Sequence, residues 1–498
     1  MAAMAFDIDA YTADAERFVS ALDREYYLHF AGLKETFEIE AIYERHAGLF
    51  EKESVARLRE RHASAPRGDE ERRSRYLLQL AVEGFIGEAT KAQAAELAER
   101  EAALEIEFDS ERQPYRQASI VQAGEPEPER RAAIEHARNA ALEKSLNPLH
   151  REAIERAHAL SLELGWRSYR EMYAELKGLD LEKLAAETRS FSDATEDRYR
   201  DVVEPQLRAQ TGLGFDVARR SDLPYFFRAK SYDAIFPAER LIETFERTLA
   251  GLGIDLHRQP NVKLDLEQRA RKSARAFCAP VHVPHEVYLV IPRKGGRDDY
   301  SALFHEGGHT EHYAGVDPAL PFEFRHLGDN SVTESFAFLL EHLIEDPVWL
   351  QQVIGTSPDG DYLEYARASK LIYLRRYAAK LDYELELHAG ARPLGEMPEL
   401  YSELLGRAIG LEWPGVMYLS DVDEGFYAAN YLRAWAFEAI FRGDLRERFG
   451  EDWFARREAG DFLRSVWREG QRLGADELLK EVTGKQLDFT VMLGEVGI

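Results

Sequence analysis

The chain has 498 residues, of which 45% are hydrophobic, 31% charged and 11% aromatic, and its formal net charge is −26. So acidic a surface repels nucleic-acid phosphates, and no Lys/Arg stripe interleaved with aromatics offsets it, which disfavours nucleic-acid binding. No run of about 18 consecutive apolar residues exists to span a membrane, and Cys278, the single cysteine, excludes an intrachain disulfide.

The first residues, MAAMAFDIDAYTADAERF, lack a basic stretch followed by an apolar one, so a secretory leader is not expected. With one cysteine, a reducing cytoplasm is the expected location. A chain of this length exceeds a single core, and two or three lobes are expected.

Taken in order, nearly every long segment reads as helix, because Ala, Leu, Glu and Arg dominate and apolar residues recur at three and four. Residues Leu77 to Leu104, Arg131 to Leu164 and Leu181 to Leu207 are the clearest cases, with charged runs such as Glu96 to Glu101 as solvated faces. Leu104-Glu-Ile-Glu-Phe108 alternates instead, and Tyr115 to Val121 is expected to return as its partner strand before the linker Gly124-Glu-Pro-Glu-Pro128. Glycine turns at Gly212-Leu-Gly214 and Gly251-Leu-Gly253 separate further helices. From Ala276 to Ile291, Val281, Val283, Val287, Leu289 and Ile291 suggest two short strands around Pro284, closed by Gly295-Gly296.

Immediately afterwards comes Phe304-His-Glu-Gly-Gly-His309, which contains H-E-x-x-H. Four residues apart on a helix, both imidazoles reach one ion, and the glutamate between them can act on a water there. Such a motif arises by chance in about one chain in twenty of this length, so its surroundings decide. Asp298, Asp299 and Ser301 offer N-caps for a helix starting near Tyr300. Gly307-Gly308 in the helix interior costs about 1 kcal/mol per glycine. Close approach of another backbone or of substrate is a reason to bear that cost.

A catalytic zinc needs a third protein ligand. His312 lies seven residues from His305, about 10.5 Å along the axis, too far to share a tetrahedral ion with it. The metzincin pattern fails as well, since position 315 is glycine and not histidine. Glu334, on the helix expected from Val332 to Ile344, is the best candidate, although Ser331-Val-Thr-Glu334 also fits a capping box. Glu341 shares its face and either orients a ligand histidine or is a solvated charge.

His305-Glu-Gly-Gly-His-Thr-Glu-His312 fits H-E-x-G-H-x-x-H, and by it the chain resembles the thimet oligopeptidase and oligoendopeptidase F family of zinc peptidases. Angiotensin-converting enzyme is a more distant likeness; it usually lacks a histidine at the position of His312 and has aspartate where Phe338 stands. The resemblance implies one zinc ion on His305, His309 and Glu334, with Glu306 as general base. It also implies Glu341 and His312 behind the ligands. Ala276, Phe277, Cys278 and Ala279 are similar to the strand on which those enzymes lay the peptide. Gly425-Phe-Tyr-Ala-Ala-Asn-Tyr431 resembles their tyrosine-rich segment, which makes Tyr431, with Tyr427 beside it, oxyanion donors. The implied architecture is mainly α, with two helical lobes flanking a deep substrate channel and a small sheet next to the zinc helix. Residues 1–180 are expected as an N-terminal lobe or lid, and 181–498 as the catalytic lobe.

The expected activity is therefore zinc-dependent hydrolysis of short unstructured peptides. A metal-dependent carboxypeptidase is the rival, and it needs a cation for the terminal carboxylate, drawn from Arg293, Lys294, Arg325 or Arg433. A non-catalytic helical peptide-binding protein is a third reading. His282, His285, His326 and His342 carry no partner pattern, and the oligomeric state is not legible.

Overall fold

The alanine- and leucine-rich stretches fold as helices, and long ones: Asp69–Ala103, Leu181–Thr211, Gly360–Ala389 and Tyr427–Phe449. The computed structural model describes residues 6–292, 294–357 and 360–498, which are mostly helical with one two-stranded and one three-stranded sheet. No helix among the described residues is long and apolar enough to cross a membrane.

The chain divides into two compact units, each assembled from three stretches. One comprises Met1–Phe85, Tyr232–Pro358 and Arg433–Val491; the other comprises Ile86–Ser231, Asp359–Leu432 and Met492–Ile498. The division expected between residues 180 and 181 falls inside the second unit. There Asp180 caps the helix Leu181–Thr211, whose apolar face packs on Gly360–Ala389, far downstream. Pairings so distant in sequence leave no local signal.

In the second unit, β1 (Glu105–Phe108) pairs antiparallel with β2 (Glu111–Pro114). Tyr115 to Val121 is thus not the returning strand. Asp109 and Ser110, both at positive φ, turn the chain at once, and Tyr115–Gly124 is helical. Ile106 and Phe108 point from β1 into a core with Ile134, Leu142 and Leu146, which buries the alternating face.

In the first unit, β3 (Val262–Asp265), β4 (Phe277–His282) and β5 (Glu286–Val290) form a sheet of order β3-β5-β4. The pair β4–β5 was expected. The short parallel strand β3 was not, because four residues give no usable alternation. The N-terminal helix Ile8–Phe30 lies on this sheet, with Tyr27 stacked on Tyr288 at 3.7 Å and Ala31 buried among Ala279, Val281 and Val290.

The motif helix runs Arg297–Gly315, beginning three residues earlier than expected. Its N-cap is Gly296 at φ 85°, a left-handed conformation that glycine adopts without strain. Asp298 and Asp299 sit in the first turn, where carboxylates favour the helix dipole. Asp299 closes the loop by accepting the N–H groups of Lys294 and Gly295, both at 2.8 Å. The helix is pinned by Leu303 and by Phe304, whose ring meets those of Phe245 and Trp349 edge-on at 5.3 and 5.2 Å.

Candidate metal centre

The two interior glycines explain how this helix meets its neighbour. A Cβ on Gly308 would lie 2.4 Å from the Phe336 carbonyl oxygen and 2.5 Å from the Ala337 Cα, and one on Gly307 would strike the Phe245 ring at 2.3 Å. Only glycine lets the motif helix touch the backbone of the helix Asn330–Glu341. That contact brings Glu334 against His305 and His309.

Glu334 sits in the second helix and is not its capping residue. Asp329 is the N-cap, accepting the Ser331 N–H at 2.9 Å. Asp329 also accepts the Ala475 N–H at 3.0 Å and pairs with Arg433 at 2.7 Å, so one buried carboxylate fixes where the helix starts.

Glu334 Oε2 lies 3.4 Å from His305 Nε2 and 3.6 Å from His309 Nε2. One ligand atom from each of the three residues falls within 4.8 Å of the others. Two nitrogens and an oxygen bonded at about 2.0–2.2 Å in a tetrahedron stand roughly 3.4 Å apart, so the distances from Glu334 to both imidazoles suit a shared zinc ion.

The far side of each imidazole is also held. His305 Nδ1–H donates to Glu341 Oε2 at 2.9 Å, and Glu341 Oε1 accepts from Ser301 at 2.5 Å. His309 Nδ1–H donates to the Thr333 hydroxyl at 2.8 Å, which in turn is hydrogen-bonded to Tyr313. Both bonds fix the tautomer that turns Nε2 toward Glu334. Burial alone would make His305 less basic, but hydrogen bonds to Glu334 and Glu341 outweigh it and hold the imidazole protonated. A bound cation takes the place of that proton. Burial lowers His309 to about 4, so it is a neutral donor at neutral pH.

Glu306 points the other way, toward the sheet, where its Oε2 accepts the Cys278 N–H of β4 at 2.9 Å. Burial pushes its carboxyl up to about 7, against the pull of His305 and of the Cys278 N–H. A carboxylate with that affinity takes and returns a proton near neutrality. β4 is an edge strand, so Ala276, Phe277, Cys278 and Ala279 run beside Glu306 at the border of the sheet.

The expected role of His312 behind the ligands does not fit its surroundings. Two turns beyond His305, it is level with Phe336 at 4.9 Å, and its Nε2 donates to the Gly470 carbonyl at 3.3 Å. Burial lowers it to about 3, leaving a neutral core histidine. Two of the cations named for a terminal carboxylate are already engaged. Arg325 bonds to Glu16 and to the Leu320 and Val283 carbonyls, and Arg433 to Asp329, Ser331 and Asp476. Lys294 is exposed, and Arg293 lies outside the described residues. Among the other histidines, His282 faces Glu16 at 3.4 Å and His326 faces Asp23 at 3.2 Å. Tyr427 and Tyr431 belong to the second unit, where Tyr431 is edge-on to Tyr427 at 5.0 Å and to Tyr377 at 5.6 Å.

Thr333, Tyr313 and Asp329 are supports that sequence reasoning missed. Hydroxyls and single aspartates have no spacing that marks them, and their roles appear only once the two helices are in contact.

No family model matches the sequence, and no curated protein does. The fold, however, is shared with a solved structure, an M32 carboxypeptidase from Deinococcus radiodurans R1. The TM-score is 0.64 at 16% identity, covering 98% of this chain and 97% of that one. At that identity the likeness is one of fold. It agrees with the mainly helical architecture; the matched protein is named a carboxypeptidase, whereas the motif of this chain resembles the thimet and oligoendopeptidase F family.

Proposed function

We propose that the protein is a zinc-dependent peptidase acting on short peptides. The observation that carries this reading is the convergence of His305, His309 and Glu334 beside a buried glutamate, Glu306, whose proton affinity lies near neutrality. When bound, zinc supplies a Lewis acid that acidifies water and polarises the scissile carbonyl. Glu306 takes the proton as water attacks the carbonyl carbon, then returns it to the departing amine nitrogen. Glu341 and Thr333 hold the two imidazoles in one tautomer throughout. Cys278, whose N–H already meets Glu306, and its neighbours on β4 offer edge hydrogen bonds to an extended peptide. Tyr431, with Tyr427 beside it, is the proposed oxyanion donor.

A second reading, removal of residues from the C-terminus, is favoured by the carboxypeptidase with which the fold is shared. Matched peptides with free and amidated C-termini separate the two. Cleavage of both supports endopeptidase action, and cleavage of the free form alone supports the carboxypeptidase. A scaffold that only binds peptides has no use for Glu306. Accordingly, Glu306→Gln is expected to keep its zinc and lose about 10²–10⁴-fold in turnover; full activity in that variant would remove the assigned base.

A further inference from the structure

The C-terminal end of the N-terminal helix and the turn after it expose four large apolar side chains within twelve residues. Tyr26, Phe30, Leu33 and Phe37 are each 37–49% exposed. The rings of Tyr26, Phe30 and Phe37 form one platform, with Leu33 in the turn between them: Tyr26 stacks on Phe30 at 5.8 Å, and Phe37 meets Tyr26 at 5.1 Å, Phe30 at 5.8 Å and His29 at 4.7 Å. Exposed apolar residues are ordinary when scattered, but a contiguous set calls for an occupant.

The platform is held in shape. Leu33 and Lys34 both donate backbone N–H groups to the Leu28 carbonyl, and Lys34 Nζ bridges Glu25 and Glu38. Gly32, at φ 72°, lets the turn pass so close to Lys272 that a Cβ would meet its nitrogen at 2.8 Å. From the sheet side, Ser273 N–H donates to the Phe30 carbonyl at 2.7 Å and Arg269 to that of Ala31 at 2.6 Å. Aromatics fixed in advance lose little entropy when they bind.

Its position says what it binds. Phe30 meets Phe277 of β4 at 6.4 Å, and the next residue, Cys278, is the one whose N–H bonds to Glu306. The platform therefore borders β4 one residue from the strand position whose N–H meets the candidate catalytic carboxylate. Its size points the same way. At about 150–250 Å² per aromatic side chain, four partly exposed residues present roughly 300 Å². A stable protein partner needs about 800 Å² per side. The platform suits one or two side chains.

We propose that Tyr26, Phe30, Leu33 and Phe37 form a specificity subsite for an apolar, preferably aromatic, side chain of the peptide substrate. The proposal rests on the peptidase reading for its substrate, and its test is a binding measurement that needs no turnover. The zinc-loaded Glu306→Gln protein is titrated against fluorescein-labelled peptides of serine, glycine and glutamine, with and without one phenylalanine moved along the chain. One register of phenylalanine is expected to bind at least tenfold tighter than the phenylalanine-free peptide. Combined Tyr26→Ser, Phe30→Ser and Phe37→Ser substitutions, all at exposed positions, should erase that preference and leave the phenylalanine-free affinity within twofold. A preference that survives the substitutions, or none at all, overturns the subsite. So does concentration-dependent dimerisation in sedimentation that the same substitutions abolish, since the platform would then pair two copies of the chain. Turnover is measured separately on the wild-type holoprotein: its absence defeats the peptidase reading and leaves the binding result standing.

Discussion

Each of the two units buries a knot of ionisable side chains, and the knots differ in how their charge closes. In the second unit, Asp421 pairs with Arg376 at 2.5 Å and accepts from Tyr401 at 2.6 Å, while Asp423 pairs with Lys380 at 2.8 Å. Glu384, fully buried beside them, is pushed up to about 8 by burial and carries its own proton at neutral pH. That cluster is neutral by itself. In the first unit Glu334 and Glu341 face the imidazoles of His305 and His309, Glu306 turns to the sheet, and ligand atoms from His305, His309 and Glu334 come close together. Buried charge is costly unless it is matched. A knot that matches itself serves the fold, and one whose donor atoms converge could hold a cation.

The largest effect expected from that contrast is on metal content. Glu334→Ala removes the only carboxylate of the converging set and should reduce tightly bound zinc from one equivalent to none, read by metal analysis after dialysis. Zinc retained at one equivalent would place the metal elsewhere. Next in size is the support of the ligand helix. Asp329→Ala strips a buried partner from Arg433 and the cap from two helices, and should cost about 3–5 kcal/mol of stability in denaturant unfolding. A loss under 1 kcal/mol would mean Asp329 is not the hub that its bonds suggest. Smaller again is Thr333→Val, which keeps the shape and removes the acceptor for His309 Nδ1–H. Zinc affinity, measured by competition with a chromophoric chelator, should fall about 10–100-fold. An unaltered affinity would show that His309 needs no such orienting.

How much of this the sequence carried follows the range of each interaction. The four-residue spacing of His305 and His309, and the helical character of most of the chain, are local, and both were legible. Gly307 and Gly308 signalled a close approach, which proved to be the Phe245 ring and the backbone at Phe336 and Ala337. What was missed lies in contacts made across long separations. The capping reading of Ser331 and Glu334 gave way to Asp329, whose partners Arg433 and Ala475 lie more than a hundred residues downstream. The place behind the ligands given to His312 came from the family resemblance, and its bond to the Gly470 carbonyl, 158 residues downstream, has no local signal. The division of the chain escaped notice since each unit is stitched from three stretches.

Glu384 offers the finest test of the contrast, because the second knot closes only if this side chain is protonated. Its ordinary value is 4.5, and burial raises it to about 8 in the fold, against the opposing pull of Lys380. The folded protein thus holds the proton more tightly than the unfolded chain does. The corresponding stability is fully present below pH 4.5 or so and is lost as pH rises through about 8. Replacing Glu384 by Gln keeps an oxygen to accept the Asp423 N–H, now made at 2.8 Å, and removes the titration. Wild type and Glu384→Gln should therefore unfold alike near pH 5. At pH 8.5 the variant should be the more stable by roughly 4 kcal/mol, since the two values differ by about 3.5 pH units at about 1.4 kcal/mol each. Parallel stability curves across that range would mean that Glu384 is ionised in the fold and that the second cluster carries an uncompensated charge of its own.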